Sequence, residues 1–285
     1  MPWRRLGRIA AAMTPVLGVF VAIVAWTHLP RMHVAPAMLG LACWTAGNYL
    51  VCPLRWSSVS TRGRGLGWYV RIFAEGELLG LLTPQHAGSD LWRIRQLVAD
   101  GSDKRSAVVE VAADRLSGSV AIVALALLAG AVVPERFWPI AGLAVAAVAA
   151  TVWLARRWWR PKLEGTQWPS KRSFVRSAAI SALYQAGYLG FVIGLVTAVG
   201  QHVNPLGTAS VVGLSQAAGL LPGVHGAGPR EGAMTGGLVA LGVPLSAAVS
   251  AVALGVALAW VPAVLVGGGG FAARAWQRRK ARAAA

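Results

Sequence analysis

Six runs of 18 or more mostly apolar residues, at about 9–27, 36–54, 107–130, 138–155, 174–199 and 245–267, constrain this chain more than any other feature. A bilayer core about 30 Å thick takes roughly 20 such residues as a helix, and lipid offers no partner to an unpaired backbone amide. Unbroken apolar runs of this length, without period-two alternation, predict helices. The charged fraction agrees: 13% of residues, against about 25% in soluble domains, in a chain that is 56% hydrophobic. The expected fold is an all-α polytopic membrane protein, a single membrane domain over 1–285. The first run follows Arg4-Arg5 like a secretory leader. It is longer than such leaders use, and His28-Leu29-Pro30 gives no small-residue cleavage pattern, so a retained span is predicted.

Charge placement sets the topology. Of the 27 Lys and Arg residues, 22 fall in five clusters between or beyond the runs: Arg4/Arg5/Arg8, Arg55/Arg62/Arg64, Arg93/Arg95/Lys104/Arg105, Arg156 through Arg176, and Arg274 through Arg282. Basic residues beside spans mark the cytoplasmic side and attract anionic headgroups. The net charge of +17 therefore reads as membrane topology, and no nucleic-acid partner is expected, since no sizeable polar domain exists to carry one. With both termini inside, only Arg31 and Arg136 fall outside, while Arg71, Arg115 and Arg230 fall at membrane depth. Trp3, Trp68, Trp158, Trp159, Trp168 and Trp276 stand beside span ends, as an aromatic belt requires.

Two further stretches are too short and too broken to cross. They are 66–92, centred on Leu81-Leu82-Thr83-Pro84-Gln85-His86-Ala87-Gly88-Ser89-Asp90-Leu91-Trp92-Arg93, and 208–242, centred on Leu220-Leu221-Pro222-Gly223-Val224-His225-Gly226-Ala227-Gly228-Pro229-Arg230-Glu231. Each leaves and re-enters on one side, which predicts six spanning helices plus two re-entrant helical hairpins. Each half then holds two spans, one hairpin and one span, and the second half starts from the opposite side. Pro84 and Pro222 are 138 positions apart, as are the run starts at 107 and 245. An inverted repeat, with halves 1–133 and 134–270 and a basic cytoplasmic tail 271–285, is expected. Paired broken segments of this kind point to a transport site.

Ionisable groups in hydrocarbon cost several kcal/mol, so those at depth are functional candidates. The set is Arg71, Glu75, Glu77, Asp90, Glu110, Asp114, Arg115, Arg230 and Glu231. Glu110 and Asp114, four apart, share a helix face, and Arg115, adjacent, is placed to pair through tilt or a neighbouring helix. A helix starting near Arg230 aims unpaired N–H groups and a positive dipole end at any cavity there, and the Arg230 fork suits a phosphate. His86 and His225, one at each break, add donors. The substrate-binding candidates are Arg230, Glu231, His225, His86, Asp90, Arg93, Asp114, Arg115 and Glu110. Structural ion pairing is the competing reading, strongest for Glu110 and Arg71. Cys43 and Cys52, nine apart on one helix, lie roughly 13 Å apart on opposite faces and cannot pair. No catalytic residue, cofactor or metal is expected.

In their order, the Leu81–Arg93 stretch, Val109-Glu110-Val111-Ala112-Ala113-Asp114-Arg115-Leu116, Leu221–Glu231 and Leu241-Gly242-Val243-Pro244 resemble the lysylphosphatidylglycerol synthase transmembrane-region family. That pattern runs Leu-Pro-Gly-Arg-Ala-Gly-Glu, an acidic-Arg-Leu step, Pro-Gly-Gly-Leu-Gly-Val-Arg-Glu and Leu-Gly-Val-Pro, so the resemblance covers nearly the whole chain. Gln85-His86 replaces its Gly-Arg, Ser89-Asp90 its acidic step, His225-Gly226-Ala227 lengthens its glycine motif, and Pro229 stands where Val is typical. These departures bear on the substrate more than on the fold.

The resemblance implies a flippase-like transporter. The expected substrate is an anionic lipid, either an aminoacylated phospholipid or a polyprenyl-phosphate-linked sugar, moved between leaflets. No segment here could hold the aminoacyl-transferase domain that some members carry, so lysyl transfer is expected to be absent. A membrane-embedded enzyme and an accessory subunit of a cell-envelope pathway are the alternatives. Against the enzyme, no nucleophile–base pair or metal cluster stands at motif spacing. The Ala/Gly/Arg/Trp richness points to a bacterial plasma membrane, and a homo-oligomer is compatible with the pattern.

Overall fold

A computed structural model describes residues 32–83, 86–130, 168–219 and 228–283, with isolated positions at 142, 146, 153, 157 and 226. The expected first span, most of the fourth, and Arg31, Pro84, Arg136, Pro222 and His225 lie outside the described residues.

Among the described residues the chain is all helix, with no strand. In order the helices are α1 (Val34–Val59), α2 (Leu66–Leu81), α3 (Ala87–Ala99), α4 (Lys104–Gly130), α5 (Lys171–Ala198), α6 (Pro205–Ala218), α7 (Pro229–Ala240) and α8 (Leu245–Ala283). Three of them, α1, α5 and α8, are long and apolar enough to cross a membrane. Their outward faces carry exposed leucines, including Leu39, Leu50, Leu183, Leu245 and Leu265. A multi-pass membrane protein is the plain reading. At 27 residues α4 is also long enough, but its first half carries Lys104, Arg105, Glu110, Asp114 and Arg115. By contrast α2, α3, α6 and α7, of 12 to 16 residues, extend only about 18–24 Å. They pack pairwise as two helical hairpins, α2 on α3 and α6 on α7.

Local chemistry sets the helix starts. The Asp103 carboxylate caps α4 by accepting from the N–H groups of Arg105 and Ser106 at 2.9 and 3.0 Å. Those bonds, with one from the Ser106 hydroxyl, hold this exposed carboxyl below its ordinary range. Asn204 caps α6 through Leu206 N–H with Pro205 next, and Ser170 caps α5 through Ser173 N–H. At α7, Pro229 takes the first position and Glu231 reaches back to accept from Gly228 N–H at 2.9 Å.

Two long helices contain a π-helical turn, α1 at Gly47–Val51 and α8 at Ala263–Gly267. Pro53 explains the first. It has no N–H for the Tyr49 carbonyl four residues back, and its ring crowds that oxygen. The widened turn carries Asn48 and Tyr49, which face the interior. The second follows Pro262 directly.

The centre of the bundle is the crossing of α1 and α5. Between membrane helices, close approach and dispersion replace the hydrophobic drive, so small residues mark the contact. A Cβ on Gly194 would sit 2.6 Å from the Pro36 carbonyl oxygen, and one on Gly187 would sit 2.9 Å from that of Cys43. Trp44, Phe191, Val192 and Leu195 fill the seam, with the Trp44 and Phe191 rings stacked at 5.6 Å. Cys43 and Cys52 are both free.

Contacts elsewhere are reciprocal between the halves: α4 packs on α6 while the π turn of α8 packs on α2, and α3 meets α4 while α7 meets α8. At the C-terminal end α8 runs on as helix past 267, through Gly268–Ala283. Gly267 and Gly270 fit a neighbour rather than break the helix. A Cβ on Gly267 would lie 2.5 Å from the Ala74 oxygen, and one on Gly270 would lie 2.9 Å from Glu75 Cγ.

Candidate functional site

The fold first assembles a buried ion network. Asp114 on α4 is fully buried and accepts from two arginines on other helices. Arg55 on α1 reaches it at 2.8 and 3.1 Å, and Arg93 on α3 at 2.7 Å. Gly118, one turn along α4, leaves room for the Arg55 guanidinium, since a Cβ there would lie 2.8 Å from Arg55 Nη1. Arg93 also lies over the Trp56 ring at 4.2 Å. Charge counting had put Arg55 and Arg93 in cytoplasmic clusters. Both are buried and answer an acid instead, because Coulomb attraction in a low dielectric outweighs their desolvation only with such a partner.

The two α4 neighbours of Asp114 find other partners. Adjacent helix positions differ by about 100°, so Arg115 faces away from Asp114. Its guanidinium pairs with Asp90 on α3 at 2.9 Å and is 47% exposed. Glu110 pairs with no arginine within salt-bridge distance among the described residues and accepts from Trp56 Nε1 at 2.9 Å. Asp90 also approaches Arg93 at 3.7 Å, joining the two sets.

A second cluster ties α8 to the first hairpin. Glu75 on α2 is fully buried, and Arg274 grips it with two bonds of 2.7 and 2.8 Å. Arg274 also donates to Gln96 Oε1 at 2.8 Å, and Trp92 Nε1 donates to Glu75 at 3.1 Å. Arg274, which sequence counting gives to the tail, thus joins α8 to both α2 and α3.

Beside the Asp114 network lies a cavity of about 360 Å³ with Arg55, Arg93, Arg115 and Arg230 on its wall, together with Glu77, Asp90 and Glu231. It continues into a narrower slot of about 100 Å³ lined by Trp44, Leu81, Phe191, Leu195, Met234 and Val256. Asn48, Glu77, His86, Tyr184, Arg230 and Glu231 line both, so they mark the join between polar and apolar space.

Arg230 differs from the other three cavity arginines. Arg55 and Arg93 are committed to Asp114 and Arg115 to Asp90, whereas Arg230 has no carboxylate within ion-pair distance among the described residues. It lies instead over the Tyr188 ring at 5.1 Å, at the first turn of α7. Glu231 spends one oxygen on its own helix end. His86 caps α3 in the left-handed region at φ 54°, the one such non-glycine residue described, and it faces both spaces. Such strain clusters at functional sites.

The structure therefore brings Arg230, Glu231, His86, Asp90, Arg93 and Arg115 to one cavity, with Asp114 behind its wall. Glu110 stands apart against Trp56, and His225 lies outside the described residues. Sequence reasoning did not select Asn48, Tyr49, Tyr184 or Tyr188, and it set Glu77 among the ionisable groups at membrane depth without making it a binding residue. Polar side chains inside otherwise apolar runs were the available signal, but only packing shows that they converge. A family model described as Lysylphosphatidylglycerol synthase TM region matches residues 3–267. No curated protein matches the chain.

Proposed function

This chain belongs to the lysylphosphatidylglycerol synthase transmembrane-region family, and we propose that it moves a phosphate-bearing lipid between the leaflets of a bacterial plasma membrane. The observation that carries the reading is Arg230: a cavity-facing guanidinium without an acid partner among the described residues, at a helix N-terminus, where polar space meets apolar space. An amphiphile has that same division, with a charged head and an apolar chain. The Arg230 fork and the α7 N-terminus bind the phosphate, while the slot beside Trp44 and Phe191 takes the first part of the chain.

The Asp114 and Glu75 ion clusters hold the first hairpin, and the reciprocal contacts of the two halves support an inverted repeat of six spans and two re-entrant hairpins. Rocking of one half against the other would then carry the headgroup across. Both termini lie on the cytoplasmic side in this reading, because the loop-charge bias survives without Arg55 and Arg93.

Proteoliposomes carrying a headgroup-labelled phosphatidylglycerol test this directly. With the wild type, an impermeant quencher should reach inner-leaflet label over time. Arg230→Gln should slow that exchange by roughly 30-fold, the equivalent of one lost charge-assisted bond of about 2 kcal/mol. Equal exchange in both proteins would overturn the reading.

A further inference from the structure

At the join between cavity and slot, the wall carries a second uncommitted group of opposite character. Glu77 on α2 has no cation within ion-pair distance among the described residues. Its carboxylate accepts only from neutral donors, Asn48 Nδ2 at 3.1 Å and Ser89 Oγ at 3.4 Å. Beside it, Tyr49 is 4% exposed and lines the slot, and its hydroxyl has no hydrogen-bond partner among the described residues. All three side chains face the ligand space, and Asn48 and Tyr49 are carried there by the π turn of α1.

An unpaired carboxylate and an unsatisfied hydroxyl at membrane depth are costly unless something completes them. A bare phosphate cannot do so. It would add a like charge near Glu77 and, once fully ionised, bring no donor for its free lone pairs.

We infer that Glu77, with Asn48 and Tyr49, forms a second subsite that reads the substituent on the lipid phosphate, and that this substituent must carry hydrogen-bond donors, as an ammonium or a polyol does. The inference rests on Arg230 taking the phosphate itself. It makes Glu77 a specificity-determining residue: Arg230 selects phosphate esters as a class, and Glu77 rejects those with nothing attached. Asn48 holds the carboxylate in place by donating to it. The Tyr49 hydroxyl, able to donate or accept, completes whichever substituent enters.

The test is competitive binding to the detergent-purified full chain, followed by native mass spectrometry. Three probes are compared: phosphatidylglycerol with a polyol, phosphatidylethanolamine with an ammonium, and phosphatidic acid with neither. The wild type should favour at least one of the first two over phosphatidic acid by about tenfold, since a site built for a donor penalises its absence. Glu77→Gln should bring that ratio to within about twofold while leaving phosphatidic acid binding in place. Loss of preference for phosphatidylethanolamine alone assigns the subsite to an ammonium, and loss for phosphatidylglycerol assigns it to a polyol. Tyr49→Phe, a smaller change, should reduce the ratio in the same direction.

Equal affinity of the wild type for all three probes would overturn the inference, as would a preference that Glu77→Gln leaves intact. Neither result touches the role of Arg230. That reading fails separately, if Arg230→Gln leaves the affinity for every probe unchanged.

Discussion

Asp114→Asn is the substitution with the sharpest structural consequence. It keeps the shape and one acceptor oxygen but removes the carboxylate that holds both Arg55 and Arg93, at 2.8 and 2.7 Å. Both arginines are buried, so neither can turn to water without opening the packing of α1, α3 and α4. Removing one partner of a buried ion cluster typically costs about 3–5 kcal/mol, because the remaining charge is left uncompensated. For a chain of this size that corresponds to a fall in unfolding temperature on the order of 10 °C. Scanning fluorimetry of the detergent-solubilised protein reads this directly. Asn204→Ala, which removes a helix cap worth about 1 kcal/mol, sets the scale for an ordinary local loss. Adding Arg93→Gln to Asp114→Asn should restore part of the difference, giving a coupling energy of about 1–3 kcal/mol. A fall of under about 3 °C, with no coupling, would show the cluster to be worth no more than a solvated surface pair, and the frame argument would fail.

Arg274→Ala should destabilise to a similar degree, about 3–5 kcal/mol, because it leaves Glu75 charged and buried; Arg274→Ala with Glu75→Gln should recover much of the loss in the same melt. Gly194→Leu should cost at least about 3 kcal/mol or abolish folded expression, since even a Cβ there meets the Pro36 oxygen at 2.6 Å; size-exclusion recovery of folded protein checks it. Glu77→Gln should leave the unfolding temperature within a few degrees of the wild type, which its lack of an ion-pair partner predicts, while flattening headgroup preference. Arg230→Gln should also be close to neutral in stability, in contrast to Asp114→Asn, because no buried acid is orphaned when it goes.

Much of this arrangement can be read from the chain because lipid removes alternatives. Three apolar runs that the structure describes become α1, α5 and α8, and the two broken stretches become pairs of helices too short to cross. A helix start near Arg230 was legible from the glycines and prolines that break the chain before it. What escaped was tertiary. Arg55, Arg93 and Arg274 sit among basic residues that a loop would also carry, and only the positions of Asp114 and Glu75 across the bundle reveal them as interior groups. The four glycines at 267–270 stay helical, and it takes the packing to show that α2 needs the space beside Gly267 and Gly270. Asn48 and Tyr49 face the cavity because a π turn shifts their register, and a regular 3.6-residue period hides that.

The central claim is that Arg230 holds a lipid phosphate in the cavity. Native mass spectrometry of the purified protein, wild type beside Arg230→Gln at matched unfolding temperature, tests it most directly. The account predicts that a phosphate-bearing lipid species rides on the wild type and is lost from the variant. The same lipid adducts at the same occupancy on both proteins would contradict it.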